Sequence, residues 1–270
     1  MTNVSEPVTQ DRPYRIQTSA GYRKYLCGGL YLPSVTTVLS ATESEKSKAG
    51  LRTWQKNNPG ALEAASTRGS AIHLGCENYL RGIDPGVPEE YQDFWNGMSQ
   101  YLDWFDTIHW SERPLRPDWN HLRSDDREVA YVWSTEHGYA GCPDLIGEIG
   151  GVRVIADFKT SNAPYCANFP QRGDRIGFGG FRKYTKCAQQ MAAYRLALEE
   201  RTGYHCDVAL IIVSTPETSQ AIFVDGDQLA LQESRFIKRA EQFHNIAGNN
   251  EVEDSSQQRL QKQDQSAEGS

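Results

Sequence analysis

Several features are scarce or absent in this chain of 270 residues. No apolar run approaches the length a helix needs to cross a bilayer, which excludes a helical membrane span. The start of the chain, MTNVSEPVTQDRP, is polar rather than signal-like, so a cytoplasmic protein is expected, with residues 1–13 as a flexible leader. The six cysteines, Cys27, Cys76, Cys142, Cys166, Cys187 and Cys206, include no C-x-x-C pair and read as mostly reduced, buried thiols. No internal repeat is present.

Basic residues are also in deficit, giving a formal net charge of −7. Taken alone this argues against a nucleic-acid enzyme, because phosphate binding draws on Lys and Arg. The distribution weakens the objection. Glu251, Glu253, Asp254, Asp264 and Glu268 fall in a Gln/Ser/Asn-rich end, 248–270, whose composition reads as a disordered tail. Lys46, Lys48, Arg52 and Lys56 form one basic cluster, and Arg172, Arg175, Arg182, Lys183 and Lys186 form another. The second cluster is interleaved with Tyr165, Phe169, Phe178, Phe181 and Tyr184 in a Gly/Pro-containing segment, 161–186. Aromatic planes among cations suit single-stranded nucleic acid, where bases stack and the backbone is tracked electrostatically. Long links in compact domains are more often functional than not, so this segment is expected to form part of a substrate passage.

What the chain does have is Pro143-Asp144 followed by Asp157-Phe158-Lys159, set in two β-branched runs on either side of Gly150-Gly151. That pattern predicts a hairpin, which would bring Asp144 alongside Asp157. Two carboxylates meeting in one place raise each other's pKa unless a cation is shared, and hard divalent ions accept such oxygens. Lys159 lies two residues from Asp157 and therefore on the same strand face. An ammonium there can orient a water and offset charge on a phosphate undergoing attack. D-x-K tripeptides are common, so the surroundings decide.

Those surroundings are consistent. The stretch 187–201 carries apolar residues at helical spacing with Gln190 and Tyr194 four apart on one face, and 62–80 is another helical stretch holding Arg68-Gly69-Ser70 and His73. A strand-like run opens at Glu128 and leads to Gly141-Cys142-Pro143-Asp144. The motif order R-G-x-x-x-H, E, G-x-P-D, D-x-K, Q-x-x-x-Y resembles the RecB-type exonuclease branch of the PD-(D/E)xK nuclease superfamily. The run Pro33-Ser34-Val35-Thr36-Thr37-Val38-Leu39 after a Tyr-rich strand pair is similar to phage exonucleases and the mitochondrial genome maintenance exonuclease.

The resemblance implies that Asp144 and Asp157, with the Phe158 backbone carbonyl, are metal ligands, that Lys159 is the catalytic lysine, and that His73 is a further ligand favouring Mn²⁺. An imidazole donor is softer than a carboxylate, which agrees with that preference. It also implies one or two Mg²⁺ or Mn²⁺ ions, Gln190 and Tyr194 near the site contacting substrate or orienting Lys159, and Glu128 in the early acidic position, with Glu136 as a nearby competitor. Some relatives hold an iron–sulfur cluster through cysteines following the nuclease core; no cysteine follows Cys206, so no cluster is expected.

The expected fold is mixed α/β, a restriction-endonuclease-like core with a central mixed β-sheet flanked by helices and an N-terminal helical lobe. A strand pair is expected over 14–32, the helical lobe over about 47–110, the catalytic core over about 125–225, and one domain over 14–247. The expected function is a metal-dependent DNA exonuclease acting on single strands or ends in phage or bacterial DNA processing, with Arg68, Tyr165, Arg172, Arg175, Phe178, Phe181, Arg182, Lys183 and Lys186 contacting DNA and with recombination or replication proteins as further partners. The alternatives are a structure-specific endonuclease of the same fold and a catalytically silent DNA-binding accessory protein.

Overall fold

The Gly150-Gly151 pair sets the centre of the molecule. Both glycines have positive φ, +57° and +80°, the backbone that a two-residue hairpin turn requires and that residues with a Cβ resist. The turn joins β8 (Leu145–Ile149) to β9 (Val152–Thr160). In the resulting antiparallel register Leu145 faces Ala156, so Asp144 and Asp157 are the next facing positions.

The computed structural model describes residues 13–17, 23–124, 129–171 and 177–267. Residues 1–12 of the expected leader, Glu128, Arg172 and Arg175 lie outside the described residues. The first sheet is a three-stranded meander, β1 (Tyr14–Gln17), β2 (Arg23–Cys27) and β3 (Leu30–Pro33), where the sequence reading expected two strands. It leads through Ser34, whose Oγ accepts the Thr37 N–H at 2.9 Å as an N-cap, into α1 (Val35–Ala41). The helical lobe follows as α2 (Glu45–Asn57), α3 (Ala61–Leu80) and α4 (Gln92–Ser99).

The lobe ends earlier than expected, because β4 (Thr107–Ser111) and β5 (Arg113–Pro114) already belong to the central sheet. The aromatic-rich approach to this segment resembles the helices before it, yet Thr107, Ile108 and Trp110 find strand partners on β8; tertiary pairing overrides the local pattern. Conversely, β6 (Val132–Ser134) and β7 (Tyr139–Gly141) form their own two-stranded ribbon rather than opening the central sheet. After β9 comes α5 (Gly177–Thr202), then β10 (Val208–Ser214), β11 (Ser219–Asp225) and α6 (Gly226–Ala267). The central sheet is mixed, in the order β11-β10-β9-β8-β4-β5, with β10 parallel to β9 across the α5 crossover.

Helices cover both faces of this sheet, and alternation along β10 shows how. Leu210 and Ile212 pack with Ile72, Cys76, Phe94 and Met98 of the lobe. Ala209, Ile211 and Val213 pack with Val38, Met191, Ala192 and Phe236 from α1, α5 and α6. Arg239 of α6 ties that side together, donating to the Leu39 carbonyl, to Thr42 Oγ1 at 2.7 Å and to Gln189 Oε1 at 3.1 Å.

Two helices are longer than their sequences suggest. α5 begins at Gly177, so Phe178, Phe181, Arg182, Lys183 and Lys186 are helical rather than part of a connecting loop. Three glycines within 177–180 weaken helix propensity, but Gly180 and Tyr184 are buried one turn apart, and packing of that face outweighs the deficit. α6 runs to Ala267 through the segment read as a disordered tail; that stretch has no proline and is rich in Gln and Glu, so the helix propagates from its packed first half. No helix among the described residues is long and apolar enough to cross a membrane.

Candidate active site

β9 carries the centre of the site. Along it Val154, Ala156 and Phe158 face the helical lobe, which turns Asp157 and Lys159 toward α5. Asp157 is fully buried and accepts three donors: the Lys159 ammonium, Gln190 Nε2 at 3.1 Å and the Cys187 thiol at 3.3 Å. Such satisfaction is what permits a carboxylate to stay charged inside a protein. Burial alone would lower the Lys159 pKa, but Asp157 and its neighbours carry it well above the ordinary lysine value. Lys159 is therefore a fixed cation.

Asp144 is reached from the other strand of the hairpin. Its Oδ2 accepts the Phe158 N–H at 2.8 Å, which locks the carboxylate across the two strands. Burial and the Asp157 charge push its pKa up to about 7, with His73 acting in the opposite direction. The His73 ring, from the middle of α3, makes its Nε2 hydrogen bond to the Phe158 carbonyl at 2.9 Å; a carbonyl can only accept, so Nε2 carries the hydrogen. The other nitrogen, Nδ1, lies 3.6 Å from Asp144 Oδ2 and 3.9 Å from Glu112 Oε1. Burial lowers the His73 pKa, but Asp144 and Glu112 outweigh it and raise the ring to about 9.

Glu112 is the residue the sequence reading missed. It follows β4 at φ +54°, a backbone region that non-glycine residues rarely occupy. Its N–H donates to the Asp144 carbonyl at 3.0 Å, and its side chain accepts from the Cys142 thiol at 3.3 Å. Local strain held in place by such bonds is typical of functional positions. Ligand atoms of His73, Glu112 and Asp144 all lie within 4.8 Å of one another. Glu136, the competitor named for this role, is exposed on the β6–β7 turn and lines a different cleft with His137 and His244.

The Q-x-x-x-Y pair sits where α5 crosses the site. Gln190 donates to Asp157 and to the Tyr194 hydroxyl at 3.3 Å, so it orients the carboxylate rather than Lys159. Tyr194 packs so closely against Gly141 that a Cβ there would lie 2.2 Å from its ring. The glycine of G-x-P-D is explained by that approach.

These groups line a cavity of about 520 Å³ that collects His73, Glu112, Asp144, Asp157, Lys159, Gln190 and Tyr194. Of the residues expected to contact DNA, Lys183 donates to Ser161 Oγ at 3.0 Å just beyond β9. Arg68 sits over the Phe94 ring at 4.4 Å. Phe178 is 60% exposed and meets Phe169, itself 61% exposed, edge to face. Phe181 is partly buried against the core, Arg182 pairs with Glu43 and Lys186 reaches Ser40. Tyr165 is buried in the core beneath Lys183, which leaves no free ring face for a base; the sequence pattern could not separate it from its exposed aromatic neighbours.

The donor set fits a hard divalent cation. Carboxylates with one imidazole suit Mg²⁺ or Mn²⁺, and a ligating histidine that donates its other N–H to a backbone carbonyl has the usual outer-shell support. The raised Asp144 pKa comes first from burial of the carboxylate, a cost that a bound cation would offset.

A family model described as the PD-(D/E)XK nuclease superfamily matches residues 46–268. Similar solved structures include SSO0001, at 15% identity and TM-score 0.35 over 79% of this chain and 75% of that one. They also include a chain from Eubacterium rectale with a provisional exonuclease description, at 10% identity and TM-score 0.35 over 64% of this chain and 68% of that one. No curated protein matches the chain.

Proposed function

The chain belongs to the PD-(D/E)XK nuclease superfamily, and from that premise we propose that it is a divalent-metal-dependent deoxyribonuclease that degrades DNA from ends or as single strands. The observation that carries the proposal is the convergence of His73, Glu112, Asp144, Asp157 and Lys159 on one cavity. We take the site and the elements around it, 14–247, as one nuclease unit.

His73, Glu112, Asp144 and Asp157 would hold the cation. When bound, it would supply Lewis-acid polarisation of a phosphoryl oxygen and lower the pKa of a water. The protein's own groups do the rest. Lys159 holds a positive charge beside the position of the attacked phosphate, where it offsets developing negative charge. Asp157 fixes the Lys159 ammonium, and Gln190 and Cys187 fix Asp157. The Phe158 carbonyl holds the His73 ring with Nδ1 directed at the carboxylates, although its second lone pair leaves it able to serve as a ligand itself.

Preference for unpaired DNA is supported by the exposed Phe169–Phe178 pair, Phe178 sharing α5 with Arg182, Lys183 and Lys186, since aromatic faces on a cation-bearing element serve single strands. The test is digestion of end-labelled linear DNA, single- and double-stranded, beside a circular single strand, with Mg²⁺, Mn²⁺ or chelator. Metal-dependent loss of linear single strands with the circle spared is the expected result. Cleavage of the circle at a matching rate would make the protein an endonuclease, and no cleavage of any substrate would remove the nuclease reading.

A further inference from the structure

Two cavity-lining residues have no part in the chemistry above. Arg15 of β1 and Arg23 of β2 line the same cavity as Asp144, Asp157 and Lys159. Strand register explains why they act together. Arg15 is the cross-strand partner of Tyr25, and Arg23 is two residues from Tyr25 on the same strand, so all three share one face of the hairpin while Lys24 takes the other. Tyr25 is buried with its ring 4.7 Å from that of Tyr131, which seats this face against the cavity. Both arginines are themselves exposed and therefore stand at the rim, above a floor made by the buried Asp144 and Asp157.

Their lack of ion-pair partners among the described residues is informative. Arg116, Arg153, Arg195, Arg201 and Arg239 each pair with an acid. Neither Arg15 nor Arg23 makes an ion pair with any described residue, in a chain with more acids than bases. Two guanidinium groups with no acid partner among the described residues, at the rim of one cavity, suit a tetrahedral oxyanion.

Resting on the nuclease reading, we propose that Arg15 and Arg23 form a second phosphate subsite, which grips a phosphate next to the scissile one on the same strand. The ligand chemistry is a phosphate oxyanion, from either a backbone diester or a terminal monoester. The subsite would fix the register of the strand over the cation site, so its loss weakens substrate engagement more than the chemical step.

The experiment compares the full-length parent with Arg15→Ala, Arg23→Ala, the double variant and Lys24→Ala as a same-charge control on the opposite face. Oligothymidylates with either a phosphate or a hydroxyl at each end serve as probes, with anisotropy binding read in chelator across a salt series that begins well below physiological ionic strength, and KM and kcat read in Mn²⁺. The double variant should raise KM about tenfold or more, as for lost hydrogen bonds to a charged group. Its dependence of log affinity on log salt should flatten by about 0.7 for each arginine removed. Lys24→Ala should match the parent. A loss confined to phosphate-ended probes assigns the subsite to a terminal monoester, and an equal loss on both assigns it to the diester backbone. Parental KM and salt slope in the double variant, or an equal loss in Lys24→Ala, would overturn the subsite. If the parent cleaves nothing, the nuclease reading falls, and the binding arm still decides whether these arginines hold phosphate.

Discussion

Replacing Gly141 by alanine tests how the site is held together without touching a group that reacts. A Cβ at this position would lie 2.2 Å from Tyr194 Cε1 and 3.0 Å from Cζ. The ring has little room to yield, because Tyr194 is 5% exposed and α5 is packed along its length. Overpacking of this kind costs about 1–3 kcal/mol. Removing the ring with Tyr194→Ala should cost about 3–5 kcal/mol on the aromatic-to-alanine scale. In the double variant the clash has disappeared, so Gly141→Ala should add almost nothing. The cycle should then show a coupling of about 1–3 kcal/mol, above the scatter expected of independent sites. Urea denaturation in chelator, with linear extrapolation, measures each corner. Gly141→Ala should also reduce metal-dependent cleavage, since displacing Tyr194 moves Gln190, which orients Asp157. Additive costs, or a single variant as stable and as active as the parent, would refute the reasoning.

Asp157→Asn and Lys159→Ala should each lower cleavage by several powers of ten, since both remove transition-state stabilisation worth several kcal/mol; parental turnover by either purified variant would dismiss the assigned site. His73→Ala should weaken Mn²⁺ affinity by about tenfold or more, and a titration of metal-dependent thermal stabilisation that matches the parent would leave His73 as packing. In chelator, stability should fall as pH rises from the ordinary carboxylate range toward 9. The sign follows from Asp144 at about 7 and His73 at about 9, both raised, so that the folded state keeps protons the unfolded chain has already released. Metal binding needs those ligands deprotonated, so stabilisation by Mn²⁺ should grow across the same range; a metal-free Tm that climbs from pH 5 to pH 8 would contradict both assignments.

The parts of the site that sequence made legible are those defined by local periodicity. Period-two alternation on either side of a two-residue glycine turn leaves one hairpin register, and that register brings Asp144 to Asp157. Helical spacing likewise puts Gln190 and Tyr194 on one face of α5. Glu112 was not legible in this way. It reaches the site because β4 pairs with β8 through an irregular register near His109 and because its own backbone turns to positive φ. Both are consequences of long-range pairing with no signature in neighbouring residues, although the Thr-Ile-His-Trp-Ser-Glu run offers a strand-like signal. The early start of α5 was hidden for a related reason: Gly177, Gly179 and Gly180 signal a loop locally, and only the burial of Gly180 and Tyr184 reverses it.

Charge shows why composition alone misleads here. A net −7 counts every acid equally, but the acids differ in what they leave available. Asp118, Asp207 and Glu233 are spent on neighbouring arginines, whereas Glu112 and Asp144 meet His73 and a thiol or backbone donors, with the Lys159 charge also acting on Asp144. Glu112, Asp144 and Asp157 thus gather negative charge in one cavity, where a divalent cation would invert its sign. Positive charge stands at the rim of the same cavity, carried by Arg15 and Arg23. A polyanion approaching this protein meets a repulsive average field, yet locally a cationic rim above a floor that turns cationic once metal binds. Binding of DNA should consequently depend on metal far more steeply than it does in a uniformly basic protein. It should be nearly absent in chelator at physiological salt and restored by Mn²⁺ in a Lys159→Ala background that holds the ion without turning over. Equal affinity with and without Mn²⁺ in that variant would place the DNA-binding surface elsewhere on the molecule.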